Sequence, residues 1–268
     1  MNVFFAETIK VSMPADVIFS IGPLPVTNSM ILGAIGVIIM LLILSYTAWA
    51  IHRKKYNRFI GLVNWAVEGM YGTVNDIIPD RKVARSIAPL ALTIFFTVLA
   101  TYWCSVLPGV GAITIDGKEL FRSLPTDLNF TFAIAIITII TAQIYAIKYH
   151  GFFGNAGRYL VNPLKNPIGW FEGLLELIGE FSRLIALSLR LFGNAFAGEV
   201  LLMIVAILSG WFASLSLPFV MIFELFIGFI QAYVFFMLTL IFTSLAVASH
   251  GDTPDTHSPA DKLMEAEV

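Results

Sequence analysis

Apolar residues do not alternate with polar ones along this chain. They gather in five long runs, near residues 29–51, 87–107, 130–148, 171–208 and 216–249. A bilayer core of about 30 Å is crossed by roughly 18–20 apolar residues in a helix. Because unpaired backbone groups are not tolerated in hydrocarbon, each run reads as a membrane helix. The pattern predicts an all-α, polytopic membrane protein with five crossings. An outer N-terminal segment (1–28) precedes a single membrane domain (29–249). An acidic tail (250–268), with Pro254 and Pro259 among many polar residues, is expected to be disordered.

The fourth and fifth runs are too long for a straight crossing. Helices of about 34–38 residues would extend over roughly 50 Å at 1.5 Å per residue, so they must be strongly tilted, extend into water or be broken. The short connection 209–218 suits a tight hairpin, giving a tilted pair over about 171–249. Residues 59–78 follow a different pattern. At about 100° per residue, Phe59, Val63, Ala66, Val67, Met70, Val74 and Ile77 share one face, and Asn64, Glu68 and Asn75 lie opposite. This reads as an amphipathic surface helix over about 59–80, serving either as a bracket to partner subunits or as a plain connector on the membrane surface.

Composition agrees with this picture. The chain is 58% hydrophobic and 13% charged, against about 45–50% and about 25% for soluble domains. The net charge of −2 matters less than where the charges sit. Basic residues crowd 52–86 (Arg53, Lys54, Lys55, Arg58, Arg81, Lys82, Arg85) and 148–170 (Lys148, Arg158, Lys165). The other side keeps Lys10, Lys118 and Arg122. The positive-inside rule then puts the N-terminus outside and the C-terminus in the cytoplasm. The start of the chain lacks the basic-then-apolar plan of a signal peptide. A single cysteine, Cys104, excludes an intrachain disulfide and a cysteine metal cluster. No phosphate loop, HExxH or GxSxG motif is present. The sequence suggests no cofactor, no metal, no nucleic-acid partner and no enzymatic chemistry within the chain itself.

Charge inside the fourth run is the informative feature. On a helix, Glu172, Glu176, Glu180, Arg183, Arg190 and Asn194 fall on one stripe about 80° wide. One arginine at mid-bilayer costs at least about 2.5–3.5 kcal/mol, so the stripe must face protein, water or a carboxylate of another subunit. Glu199 points elsewhere, about 140° from Glu176. In the fifth run, Glu224 and Gln231 are seven residues apart on one face. The hairpin sets Glu199 and Glu224 at similar depth on antiparallel neighbours. Two carboxyls facing each other in an apolar wall resist joint ionisation, so the pair is expected to share a proton as a relay. Gln143 and Asn129 also read as ordinary helix–helix glue.

These residues carry a resemblance. "SLRLFGNAFAGE" (188–199) resembles the signature of subunit a of F-type ATP synthases. "IAPLALTIFFTVLATYWCSVLPG" (87–109), "PTDLNFTFAIA" (125–135) and Glu224 followed by Gln231 are similar to further family segments. The resemblance covers about 29–249. It implies a stator against which a ring of c subunits turns, each bearing a mid-membrane carboxylate. It also implies two aqueous half-channels that do not meet. Arg190 matches the family's essential arginine. The outer half-channel matches Asn194, Glu199, Glu224 and Gln231, with Asp127 and Asn129 toward its mouth. The inner half-channel matches Glu176, with Ser182 and Arg183 as further lining. Implied partners are the c-subunit ring, the b subunits of a peripheral stalk, the soluble catalytic head reached indirectly, and the lipid bilayer; the basic inner loops and the lack of a presequence suit a bacterial inner membrane. One departure stands out: where many members pair Glu with His, both positions here are Glu, which excludes a histidine route at that point.

Two other classes fit less well. A secondary transporter would be expected to show an inverted repeat, and five crossings give none. An intramembrane hydrolase would need a Ser/His pair, yet His52, His150, His250 and His257 lie at run ends or in the tail.

Overall fold

The computed structural model describes residues 15–22, 24–107, 110, 114–115, 118–159 and 167–248. Six helices dominate: α1 Asn28–His52, α2 Arg58–Ile77, α3 Arg81–Ser105, α4 Leu128–Tyr159, α5 Pro167–Ser209 and α6 Ala213–Val247. The all-α expectation holds, and the described residues add only two small antiparallel ribbons: β1 Val17–Ile21 with β2 Leu24–Thr27, and β3 Thr114–Ile115 with β4 Lys118–Glu119. The first ribbon lies in the segment read from sequence only as an outer N-terminal stretch. The acidic tail 250–268 lies outside the described residues.

Side-chain caps set where helices begin. Thr27 caps α1 through Met30 N, and Asp80 Oδ1 accepts from Lys82 N at 2.8 Å. Asp127 Oδ1 accepts from Asn129 N at 3.0 Å to start α4. These caps satisfy amide donors that a helix leaves open at its first turn. The cap at Asp80 starts α3 six residues before the apolar run at 87, so Arg81, Lys82 and Arg85 belong to a helix end. Pro89 interrupts the backbone ladder of α3, and Thr93 Oγ1 donates to its carbonyl at 2.7 Å. Gly151, at φ 73°, breaks α4.

Among the described residues, four apolar stretches are long enough to cross a membrane: Asn28–His52, Arg81–Ser105, Leu128–Phe152 and Ile168–Val247. The last covers 80 residues and is not one helix. Gly210, at φ 48°, turns the chain in a single 3-10 turn, Gly210–Phe212. Beyond it α6 runs back along α5. Ser209 and Ser216 hydroxyls meet at 2.7 Å beside the turn, and Arg183 stacks over Phe242 at 5.3 Å far from it. The fourth stretch therefore holds two antiparallel helices and supplies the fourth and fifth crossings expected from sequence. The 43 residues of α5 would extend about 65 Å, about twice the hydrocarbon thickness.

The core joins α3, α4, α5 and α6 around Ile87, Tyr102, Leu187, Leu191, Phe235, Phe236 and Leu240. Buried hydroxyl pairs tie the helices: Thr131 to Ser188 at 3.0 Å, and Thr138 to Thr239 at 3.5 Å. Such pairs satisfy polar atoms without water. α1 packs on α3 where Gly36 lets the carbonyl of Ala100 and Cys104 Sγ approach. Large apolar side chains cover the outside, among them Leu41, Leu42, Ile140, Ile144, Phe219 and Ile222. That surface suits lipid, not water.

α2 follows the sequence pattern with one correction. Met70 and Val74 are buried and Ile77 is half-buried, but Phe59 is 51% exposed and Ile60, at 3%, takes its place inside. The end of α2, the start of α3 and the ends of α4 and α6 near Tyr149 and Ser244 meet at one end of the molecule, which bears Arg81, Lys82 and Arg85. Ser244 Oγ of α6 donates to the carbonyl of Ile77, and Tyr149 of α4 donates to Asp80 Oδ2 at 2.8 Å. The opposite end carries the α5–α6 turn and the segment between α3 and α4.

Candidate functional site

Helix α5 organises the site. Leu187, Ser188, Leu191 and Ala195 pack inward, and this fixes the rotation of the helix. Arg190 is thereby turned outward and is exposed, with Ala186, Gly193 and Ala197 exposed on the same face. Apart from the local backbone of α5 itself, no described atom lies within 4 Å of where a Cβ at Gly193 would stand. Arg190 thus presents its charge on a strip of small residues, open to a neighbour outside this chain.

A polar cavity of ≈ 250 Å³ lies toward the turn end, lined by Glu199, Glu224, Tyr102, Ser105 and Ser123 among others. Glu199 is half-buried and Glu224 is 2% exposed. The two carboxylates come from antiparallel helices and reach the same space, as their near-equal distance from the turn predicts. Tyr102 Oη donates to Glu224 Oε1 at 2.6 Å. Glu224 Oε2, Ser123 Oγ and Gln231 Oε1 are buried with no hydrogen-bond partner among the described residues. Gln231, 6% exposed, lies on α6 two turns beyond Glu224.

A second, smaller polar cavity of ≈ 30 Å³ lies toward the basic end, among Gln143, Glu180, Arg183 and Phe242. Gln143 Nε2 donates to Glu180 Oε1. Glu176 is half-buried one turn further on, and Ser182 and Arg183 are exposed. Along the axis of α5, Arg190 stands about 13 Å from Glu199 and about 10 Å from Arg183. It lines neither cavity.

The polar stripe therefore divides. Glu180 and Arg183 engage α4 and α6, while Arg190 faces outward and Asn194 is half-buried beside it. Asp127 and Asn129 lie outside the lining of the larger cavity. Asp127 ties α4 to α1, its Oδ2 accepting from Ser29 Oγ at 3.0 Å, and Asn129 is exposed. Sequence reasoning missed Tyr102, Ser105 and Ser123. A tyrosine near the end of an apolar run reads as an interfacial anchor, and the one available signal was its hydroxyl at the depth of Glu224.

Comparison with known proteins agrees with the geometry. The family model described as ATP synthase A chain matches residues 30–244. The chain is 35% identical over 233 residues to "ATP synthase subunit a" of Coxiella burnetii (strain CbuG_Q212), covering 83% of each. It is 31% identical over 217 residues to "ATP synthase subunit a" of Psychromonas ingrahamii, covering 76% of this chain and 80% of that one. It is also 35% identical over 192 residues to "ATP synthase subunit a 2" of Vibrio campbellii, covering 69% and 75%. With a family match across most of its length and relatives above 30% identity, this chain belongs to the ATP synthase A chain family.

Proposed function

We propose that this subunit carries protons through two offset half-channels that meet the membrane ring at Arg190 and nowhere else. As a member of its family it is a non-catalytic, proton-translocating component of an ATP synthase embedded in the membrane. One observation carries the finer reading. Two separate polar cavities flank an outward-facing arginine on one helix, and neither contains it.

The outer half-channel is the larger cavity. Glu199 and Glu224 relay protons there, Asn194 and Gln231 extend the path toward the ring, and Asp127 and Asn129 stand toward the mouth. The inner half-channel runs by Glu176, Ser182 and Arg183. A ring of c subunits, each with a membrane carboxylate, rotates against the Arg190 face. A guanidinium stays charged, so it attracts an ionised ring carboxylate and offsets the cost of that charge in hydrocarbon. The same charge repels a proton that would cross without turning the ring. Each elementary charge crossing 100 mV is worth about 2.3 kcal/mol, and the barrier directs that work into rotation. The b subunits of the peripheral stalk hold this chain still against the soluble catalytic head. The basic end faces the cytoplasm of a bacterium, with the N-terminus outside.

Cysteine labelling tests the polarity. In a Cys104→Ser background within the assembled complex, Glu176→Cys should react with a membrane-impermeant thiol reagent from the cytoplasmic face faster than Glu224→Cys. Reaction of Glu176→Cys from the outer face alone would reverse the assignment.

A further inference from the structure

Among the described residues, Glu224 is the most buried carboxylate, and three helices hold it. On one side stands Tyr102 of α3, itself 1% exposed, whose hydroxyl donates to Oε1 at 2.6 Å. Its ring passes so close to Gly228, one turn beyond Glu224 on α6, that any Cβ there would overlap it. On the other side stands Gly198 of α5, where a Cβ would overlap the Glu224 carboxyl itself. The ring fits because position 228 lacks a side chain, and the carboxyl fits because position 198 lacks one.

We propose that Tyr102 is a positioning residue of the proton path, clamping the Glu224 carboxyl against Gly198 so that Oε2 alone exchanges protons. The inference rests on the half-channel reading above. A phenol has one hydrogen, and here it is given to Oε1. A proton carried by Glu224 then belongs on Oε2, the oxygen with no partner among the described residues. Gly198 precedes Glu199 directly, so the clamp holds the Glu224 carboxyl beside the turn of α5 that bears its relay partner. Without the hydroxyl, the carboxyl samples other rotamers and both oxygens compete for the proton. Transfer that depends on a fixed donor–acceptor geometry then slows.

The test is a cycle of variants in the whole complex reconstituted into liposomes, read by ATP-driven proton uptake. Tyr102→Phe keeps the ring over Gly228 and removes only the hydroxyl. It should slow uptake about tenfold, the loss expected for a hydrogen bond to a charged group. Added to Glu224→Gln, it should slow uptake no further than Glu224→Gln alone. Difference infrared spectra should show the carbonyl stretch of protonated Glu224, identified by its loss in Glu224→Gln, moving to higher frequency in Tyr102→Phe. Wild-type uptake in Tyr102→Phe, the same slowing in the Glu224→Gln background, or an unmoved carbonyl band would each overturn the clamp while leaving the half-channels standing. A Glu224→Gln complex that pumps like wild type would instead remove the half-channel reading, and the clamp with it.

Discussion

At Gly198 a single methyl group should be enough to disturb the proposed relay, because it would overlap the Glu224 carboxyl. An added Cβ would occupy the volume of the Glu224 carboxyl, the movable end of a flexible side chain. The fold can yield there by turning the carboxyl away, and that breaks the Tyr102 bond. Gly198→Ala should therefore assemble normally yet slow proton uptake by about tenfold, on the scale of a charged hydrogen bond. Gly69→Ala on α2, where nothing lies within 4 Å of the new Cβ, should pump at the wild-type rate. Normal uptake in Gly198→Ala would show that the carboxyl has room the packing denies it. Much at this scale was legible beforehand. Helical spacing alone put Arg190 on a polar stripe and Glu199 off it, and the hairpin brought Glu199 level with Glu224. The role of glycine at 198 and 228 was not legible, because a notch has meaning only once the group that fills it is known. Tyr102 was hidden for the same reason, its partner being 122 residues away.

The boundaries of the helices show where hydrophobicity stops being informative. Apolar runs located the membrane part of each helix but not its ends in water, which are held by caps and charges. The start of α3 is the clearest case. Asp80 accepts from Lys82 N, and Tyr149 of α4 donates to its other oxygen. The backbone hydrogen bond from Lys82, then that from Tyr149, hold the Asp80 carboxyl below the ordinary carboxylate range, against a smaller opposing effect of burial. A folded-state value that is depressed contributes stability fully above the ordinary aspartate value. That contribution is lost as pH falls through the lower folded value. Asp80→Ala should lower the unfolding temperature of the detergent-solubilised complex at neutral pH, and the gap to wild type should close on acidification below that value. A gap that stays constant at all pH would mean that the ionised carboxylate is not what starts α3. The break at Gly151 could not be read at all, since it falls three residues past the apolar run that ends at 148, where hydrophobicity does not say whether the helix continues.

At the scale of the whole molecule, Arg190 stands along α5 between two recesses that each bear ionisable side chains. α3 and α6 back the larger recess, α4 and α6 back the smaller, and α5 spans both. Arg190 stands exposed on the outer side of α5 and lines neither recess. An arginine placed so at a lipid-facing surface would cost several kcal/mol, so its place makes sense against a partner's carboxylate. The most direct measurement is ATP synthesis by proteoliposomes containing the complete complex with Arg190→Ala, driven by an imposed proton gradient. The account predicts no detectable synthesis although the complex assembles and its soluble head still hydrolyses ATP. Synthesis near the wild-type rate would contradict it.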